Sequence, residues 1–345
     1  MDIIAMSGGV DSGVALLLEK EKYCREAVGV TLALIRPTDE QAIEDARAVC
    51  ARMDTPHECI HAEDEFEAEV MSYFAREYLA GRTPNPCVVC NREIKFGILE
   101  RLADERGADR IVTGHYARTA EVNGFTFIRR AKDEAKDQSY MLARLTQRQL
   151  RRAFFPLGEM TKAEVREIAE EYGFVNAHKR DSQDVCFVPD GDYVAAIERI
   201  TGAKPVAGAY INNEGNRLGE HRGHWCYTIG QRKGLGIAMG KHVFVLSKDA
   251  SANTVTLGDE SELFRRNVGI EELSLPSDPH VLDGDVRCTA KIRYAHRAAA
   301  AVFHRCGESG GTLEFDEPQR APSAGQFAVI YDESGEYVLG AGVII

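Results

Sequence analysis

Short apolar runs alternate with segments of helical periodicity through the first half of the chain. Ile3-Ile4-Ala5-Met6 reads as a buried strand, residues 12–22 as a helix, Ala27–Leu34 as a second strand and residues 39–53 as a second helix. A helix over 91–106 leads into a further strand, Arg110–Thr113. This alternation predicts a parallel sheet covered on both faces. Thr161-Lys-Ala-Glu164 has the spacing of a reciprocal helix cap and opens a helix expected to stop near Gly173. From about residue 203 the texture changes to Gly-rich turns and short runs such as His242–Leu246, Thr254–Leu257 and Ala328–Tyr331, which read as all-β. The expected division is 1–200, 201–270 and 271–345, with Ser274-Leu-Pro-Ser-Asp-Pro279 as a linker. No internal repeat or low-complexity tail is visible.

At 345 residues the chain suggests two or three domains, and its 44% hydrophobic and 28% charged residues are ordinary globular values. Met-Asp-Ile-Ile-Ala-Met has neither a basic leader nor a long apolar run, so no membrane span and a cytoplasmic location are expected. Nine cysteines, unevenly spaced, argue for reduced thiols over a disulfide framework. The net charge of −12 argues against a general nucleic-acid coat, but the charge is uneven. Residues 40–70 hold ten acids and two basic residues, an acidic patch of the kind that docks a basic protein; residues 129–152 hold eight Lys/Arg and three acids; residues 286–305 hold five Lys/Arg and no acid.

Ser7-Gly8-Gly9-Val10-Asp11-Ser12 lies between the first strand and the first helix. Two glycines let the backbone turn tightly, so that N–H groups and the helix N-terminus converge on an anion. Ser7 and Ser12 add hydroxyl donors, and Asp11 is the natural partner for Mg2+ on the phosphates. An ordinary capped turn would explain two glycines alone. The whole hexapeptide after a buried strand is the signature of the ATP pyrophosphatase (PP-loop) class, and no Gly-Lys-Ser/Thr phosphate loop occurs in the chain. Similar enzymes cleave ATP between the α and β phosphates to adenylate an oxygen, which leaves the nucleophile open.

Cys87 and Cys90 follow Asn85-Pro86, a break in regular structure, and Asn91 is placed to cap the helix carrying Lys95. Both thiols are therefore expected near a helix N-terminus, where a thiolate is stabilised and its pKa falls. A structural zinc clip lacks its second pair, since no other Cys-x-x-Cys is present. A further candidate is Cys186 in Asp181-Ser-Gln-Asp-Val-Cys-Phe187.

The chain as a whole resembles the tRNA-specific 2-thiouridylases, which replace O2 of the wobble uridine with sulfur. The resemblance runs in order through Ser7–Ser12, Gly81-Arg-Thr-Pro-Asn-Pro86, Cys90-Asn91, Ile94-Lys-Phe96, Thr113-Gly-His-Tyr-Ala-Arg118, Lys136-Asp-Gln-Ser-Tyr140 and Phe155-Pro-Leu-Gly158. It continues through Tyr227-Thr-Ile-Gly-Gln-Arg-Lys-Gly-Leu-Gly236, Lys291-Ile-Arg-Tyr294, Pro318-Gln-Arg320 and Gly325-Gln326. Each is weak alone; in this order they are specific. The resemblance implies an α/β fold: a Rossmann-like parallel-sheet PP-loop domain, then a β-rich central domain and a C-terminal β-barrel. It implies that Ala5, Met6, Ser7, Gly8, Gly9, Val10, Asp11, Ser12, Leu32 and Gly114 line the ATP site. Cys90 matches the family's first catalytic cysteine, and Cys186 the second, which carries the sulfur as a persulfide. Asn85, Pro86 and Cys87 should lie against the target base, and His115, Lys136, Asp137, Gln138, Arg293, Tyr294 and Gln326 should contact tRNA.

Many members carry Asp at the position of Cys87. Here Cys87, Cys90 and Cys186 make three thiolates that leave two carriers open: a 4Fe-4S cluster with one iron free of protein, similar to that of related tRNA-thiolating enzymes, or a Cys90/Cys186 persulfide relay with Cys87 assisting. Lys95 and Lys136 are candidate electrostatic helpers. The sulfur comes from a donor protein, a cysteine desulfurase or persulfide carrier, or from inorganic sulfide. The rival readings are a PP-loop ligase or amidotransferase acting on a small molecule, which needs no paired reactive cysteines, and a non-catalytic RNA-binding protein, which predicts a damaged phosphate loop. His224 and His242 read as structural, and Cys24, Cys50, Cys59, Cys226, Cys288 and Cys306 as ordinary thiols.

Overall fold

The computed structural model describes residues 1–37, 39–174 and 185–345; Asp181–Asp184 of the Cys186 motif lie outside them. Strands β1 (Asp2–Ala5), β2 (Ala27–Ala33), β3 (His57–His61) and β4 (Arg110–Val112) belong to a five-stranded sheet whose last member, β7, is Ala153–Phe154. Its order is β3-β2-β1-β4-β7 and every pairing is parallel. Central β1 is buried on both faces: Ile3 and Ile4 are 0% exposed and belong to different core clusters. That two-sided burial is why the run carries no polar alternation.

The hydrophobic pattern locates these elements, with three omissions. The hairpin β5 (Arg118–Val122) and β6 (Phe125–Arg129) turns through Asn123 and Gly124, both at positive φ, the turn chemistry that closes a two-residue hairpin. Edge strand β3 is polar and only half-buried, so no apolar run marks it, and β7 is two residues long. The capping box at Thr161 and Glu164 forms as expected, and its helix, Lys162–Glu171, ends before Gly173 at φ +62°.

The helical segment 86–106 begins five residues earlier than the apolar pattern suggested. Asn85 caps it, its side chain accepting from Cys87 N at 3.2 Å, with Pro86 in the first turn. Cys90–Lys95 form a wider, π-type turn before regular α-helix resumes at Phe96. Asn91 is therefore not a cap: it lies inside the helix, 2% exposed, and donates to Met141 O at 3.0 Å.

The second half is β-rich. Strands β8 (Gly208–Ile211), β9 (Arg217–His221), β10 (Phe244–Asp249) and β11 (Thr254–Gly258) form a sheet in the order β10-β11-β8-β9. A closed antiparallel barrel follows, built from β12 (Phe264–Ser274), β13 (Asp285–Lys291), β14 (Ala299–Cys306), β15 (Gly310–Arg320), β16 (Phe327–Tyr331) and β17 (Val338–Ile344). Because β12 already runs Phe264–Ser274, the Pro-containing stretch 274–279 follows the first barrel strand. No helix among the described residues is long and apolar enough to cross a membrane.

Strand β16 explains how the barrel is held. Ala328 and Ile330 point into the barrel core with Phe303 and Phe315, while Phe327, Val329 and Tyr331 on the opposite face pack with Tyr140 and Leu142 of the first domain. All five residues are buried, so the strand reads as a continuous apolar run. Tyr140 Oη donates to Phe327 O at 2.9 Å, and Ser139 Oγ lies 3.1 Å from Tyr331 Oη. This docking sets one wall of the site.

Candidate active site

The phosphate loop follows β1. Gly8 stands at φ +68°, and a Cβ there would fall 2.3 Å from Ala42 O, so only glycine fits. Gly9 sits in extended conformation just before the helix Val10–Glu21, aiming that helix's N-terminus at the loop. Ser12 Oγ ties the turn together, donating to Gly9 O at 3.0 Å and accepting from Ser7 N at 3.2 Å. From the end of β4, Gly114 presses against the same turn: a Cβ would lie 2.7 Å from Asp11 C and 2.8 Å from Ser12 N. Ala5, Met6, Val10 and half-buried Leu32 complete the walls expected of an ATP site.

Asp11 is not an open carboxylate. Lys162 Nζ reaches both of its oxygens, at 2.7 and 2.8 Å, and Tyr116 Oη donates to Oδ1 at 2.8 Å. Nothing in the sequence joins residue 162 to residue 11. Lys162 sits inside the capping box, which marks a helix start and not a reach across the sheet.

Tyr116 also begins the path to the thiols. Its N–H donates to Gln138 Oε1 at 2.9 Å, bringing the 136–138 stretch beside Thr113–Tyr116. His115 Nδ1 lies 2.8 Å from Thr113 Oγ1, and burial, then the charge of Lys95, pushes the imidazole down to about 3, so it is neutral at pH 7. Lys95 acts in turn on Cys87, Cys90 and Cys186.

The thiols do not behave as the helix N-terminus suggested. Burial pushes Cys90 up to about 12 and Lys95 only partly opposes it, while Cys186 and Cys87 add to the rise. Cys87 is raised by burial with Lys95 opposing, and Cys186 by desolvation and then by Cys87. Desolvation outweighs the helix terminus because Cys90 is 7% exposed, inside a cluster with Phe66, Ile94 and Phe187. Cys186 has surface open to solvent yet is crowded enough for desolvation to lead; its solvent contact decides access, and the crowding decides its charge. The structure thus brings the three thiols within electrostatic reach of one another. Among the described residues, no three His, Cys, Asp or Glu side chains are spaced to hold a metal ion.

The remaining residues fall into two groups. Tyr294 lies within electrostatic reach of Cys87 and Lys136: it is 37% exposed, its phenol is raised by burial and then by Asp137, with Lys136 opposing and a smaller push from Cys87, and its ring lies 6.0 Å from that of Tyr140; Arg293 beside it is half-buried. Asp137 and Gln326 are committed to protein groups. Asp137 is 3% exposed and accepts from Ala131 N, Ser139 N and Ser139 Oγ. Gln326 Nε2 donates to Thr83 O at 2.9 Å and Pro84 O at 3.2 Å, clamping the loop that delivers Asn85 and Pro86. Met141, which sequence reasoning passed over, holds that loop from beneath through Asn85 and Asn91.

Residues 2–190 match the family described as tRNA methyl transferase HUP domain, 196–259 the tRNA methyl transferase PRC-barrel domain and 266–344 the aminomethyltransferase beta-barrel domain. The chain is 44% identical to the tRNA-specific 2-thiouridylase MnmA of Moorella thermoacetica, with 99% of this chain and 98% of that protein covered. It is 41% identical to the MnmA of Lachnoclostridium phytofermentans, with 99% of each covered. The chain belongs to the tRNA-specific 2-thiouridylase family. The relatives' names settle what the domain descriptions leave open, since those speak of methyl transfer and the full-length relatives are thiouridylases. A 2-thiouridylase needs an ATP cradle and a sulfur carrier within one substrate's reach, and Thr113–Tyr116 joins the two here.

Proposed function

We propose that this chain replaces O2 of the wobble uridine of tRNA with sulfur through the cradle and thiols described above. The observation that carries this reading is that Tyr116 bonds Asp11 of the phosphate loop while its neighbour His115 and the Cys90 thiol both feel the charge of Lys95. The uridine must leave its stack to be reached. Asn85 and Pro86 take the base, Tyr294 supplies a ring for stacking, and His115, Lys136, Asp137, Gln138, Arg293 and Gln326 meet or shape the tRNA surface. Uridine O2 attacks the α-phosphorus, pyrophosphate leaves and the base is held as an adenylate, the backbone amides of Ser7–Ser12 retaining the phosphates. Mg2+, which accompanies ATP, neutralises phosphate charge when bound, and Asp11 is the residue that would hold it.

Sulfur arrives on Cys186, the exposed thiol, from a donor protein's persulfide: the Cys186 thiolate attacks the donor's outer sulfur, the donor S–S bond breaks and the donor cysteine leaves as its thiolate. The terminal sulfur of the Cys186 persulfide attacks C2 and AMP departs. Cys90, after giving up its proton, attacks Cys186 Sγ; the S–S bond breaks, its electron pair stays on the sulfur at C2, and a Cys90–Cys186 disulfide remains for an external thiol to reduce. Cys87 modulates both. A 4Fe-4S cluster on Cys87, Cys90 and Cys186 would need the three thiolates gathered at metal-ligand spacing, which they are not here, so no step is drawn through it. A cytoplasmic location is part of this reading.

Purified enzyme given unmodified tRNA, ATP, Mg2+ and a persulfide donor should form 2-thiouridine with one AMP and one pyrophosphate per sulfur. AMP formation that ignores tRNA but follows an added small molecule would support a ligase or amidotransferase instead.

A further inference from the structure

The cradle that receives ATP is made of neutral donors. Ser7, Ser12 and backbone amides line it, and its one carboxylate, Asp11, has the wrong sign for a triphosphate. The cation that touches it comes from another element. Lys162, the first residue of its helix, is 8% exposed and lays its ammonium across both Asp11 oxygens. Its backbone is pinned: Lys162 N donates to Asp133 Oδ2 at 3.0 Å, and the Thr161–Glu164 box fixes the turn. Only the flexible side chain remains to move, and its ammonium stands 5.8 Å from the centre of the Tyr116 ring.

We propose that Lys162 is a catalytic residue for the adenylation step, parked on Asp11 until a nucleotide arrives. On ATP binding the ammonium leaves Asp11 for the phosphates, and the carboxylate it releases becomes the oxygen ligand that Asp11 was expected to be. The exchange keeps the nearly buried ammonium of Lys162 paired at every stage. During the reaction the O2 lone pair forms the bond to the α-phosphorus, the α–β bridging bond breaks with its electrons on pyrophosphate, and the uracil N3 proton goes to water. Lys162 stays protonated throughout, closing on the charge that builds on the departing pyrophosphate. The proposal rests on the ATP-dependent reading of the site, and the test separates the two.

Binding of inorganic pyrophosphate and of AMP is measured by calorimetry in EDTA on wild type, Lys162→Met and Lys162→Gln, with thermal melting of each. The expected result is at least a tenfold weaker pyrophosphate affinity in both variants with AMP affinity and melting temperature nearly unchanged, and a lower kcat for tRNA-dependent AMP release. Unchanged pyrophosphate affinity in Lys162→Gln would overturn the proposal and leave Lys162 a structural partner of Asp11. If Lys162→Met fails to fold, Lys162→Gln, which can still donate to Asp11, decides alone. Wild type that binds neither probe would sink the ATP reading itself.

Discussion

The phosphate loop and the thiol cluster share Thr113–Tyr116 as a neighbour, Gly114 and Tyr116 meeting the loop and His115 feeling Lys95, and they are built in opposite ways. The loop works through backbone: its shape follows from Gly8 and Gly114 and from two serine hydroxyls, so six consecutive residues carry most of its chemistry. The thiol pocket works through surroundings. Cys87 and Cys90 come from one helix and Cys186 from a segment nearly a hundred residues on, while Tyr294 comes from the barrel. The chemistry of the pocket depends on how much water is excluded. A helix terminus favours a charged thiolate by fractions of a kcal/mol to about 2 kcal/mol, whereas full burial shifts a titratable group by about 3–5 pKa units. Burial wins, and the pocket keeps neutral thiols next to a cation. We read this as a resting state guarded against oxidation, since the thiolate is the reactive form.

The sharpest break between the regions comes from Cys90→Ser. Thiolation should fall below detection while tRNA-dependent AMP release continues, because the loop is untouched; loss of both activities would mean the regions are not separable. Next is Gly114→Ala, whose methyl has no room beside Asp11 and Ser12. A displaced turn should cost roughly 100-fold in AMP release, read with the rate of Cys90 alkylation, which should not change.

The pH dependence tests the burial argument. With its thiol at about 12, Cys90 should be alkylated by iodoacetamide about tenfold faster for each pH unit between 7 and 10, with no plateau. A plateau near pH 7 would show a stabilised thiolate. The linkage has a definite sign: the folded value lies above the ordinary thiol value of 9.0, so this group's contribution to stability is complete below pH 9 and is lost as pH rises toward 12. The smallest effect is Gln326→Ala. Losing the clamp on Thr83 and Pro84 removes a net of about 1 kcal/mol, or about a fivefold fall in thiolation, with the affinity for pyrophosphate unchanged.

Legibility in the sequence follows the same division. Ile3–Met6, the glycines after it and the Thr161 capping box are local signals, and the structure places a strand, a tight turn and a helix start there. The Asn123-Gly124 hairpin carried an equally local signal, an Asn-Gly pair between alternating runs. What sequence could not show is burial and long-range reach. Nothing near Cys90 announces that Phe66 and Phe187 will close over it, and the spacing between Asp11 and Lys162 says nothing of their ion pair. Asn91 misled for a related reason: it has a capping residue's chemistry, but Asn85 and Pro86 start the helix first.

The central claim is that sulfur reaches the base from a thiol and not from iron. Anaerobically purified enzyme, assayed for iron and acid-labile sulfide, would be loaded with persulfide and given a single turnover of tRNA and ATP. The account predicts 2-thiouridine from iron-free protein, with persulfide lost from Cys186 and a Cys90–Cys186 disulfide gained, as read by mass spectrometry. Thiolation that rises with iron content, vanishes in iron-free protein and loses its iron in Cys87→Ala would contradict it.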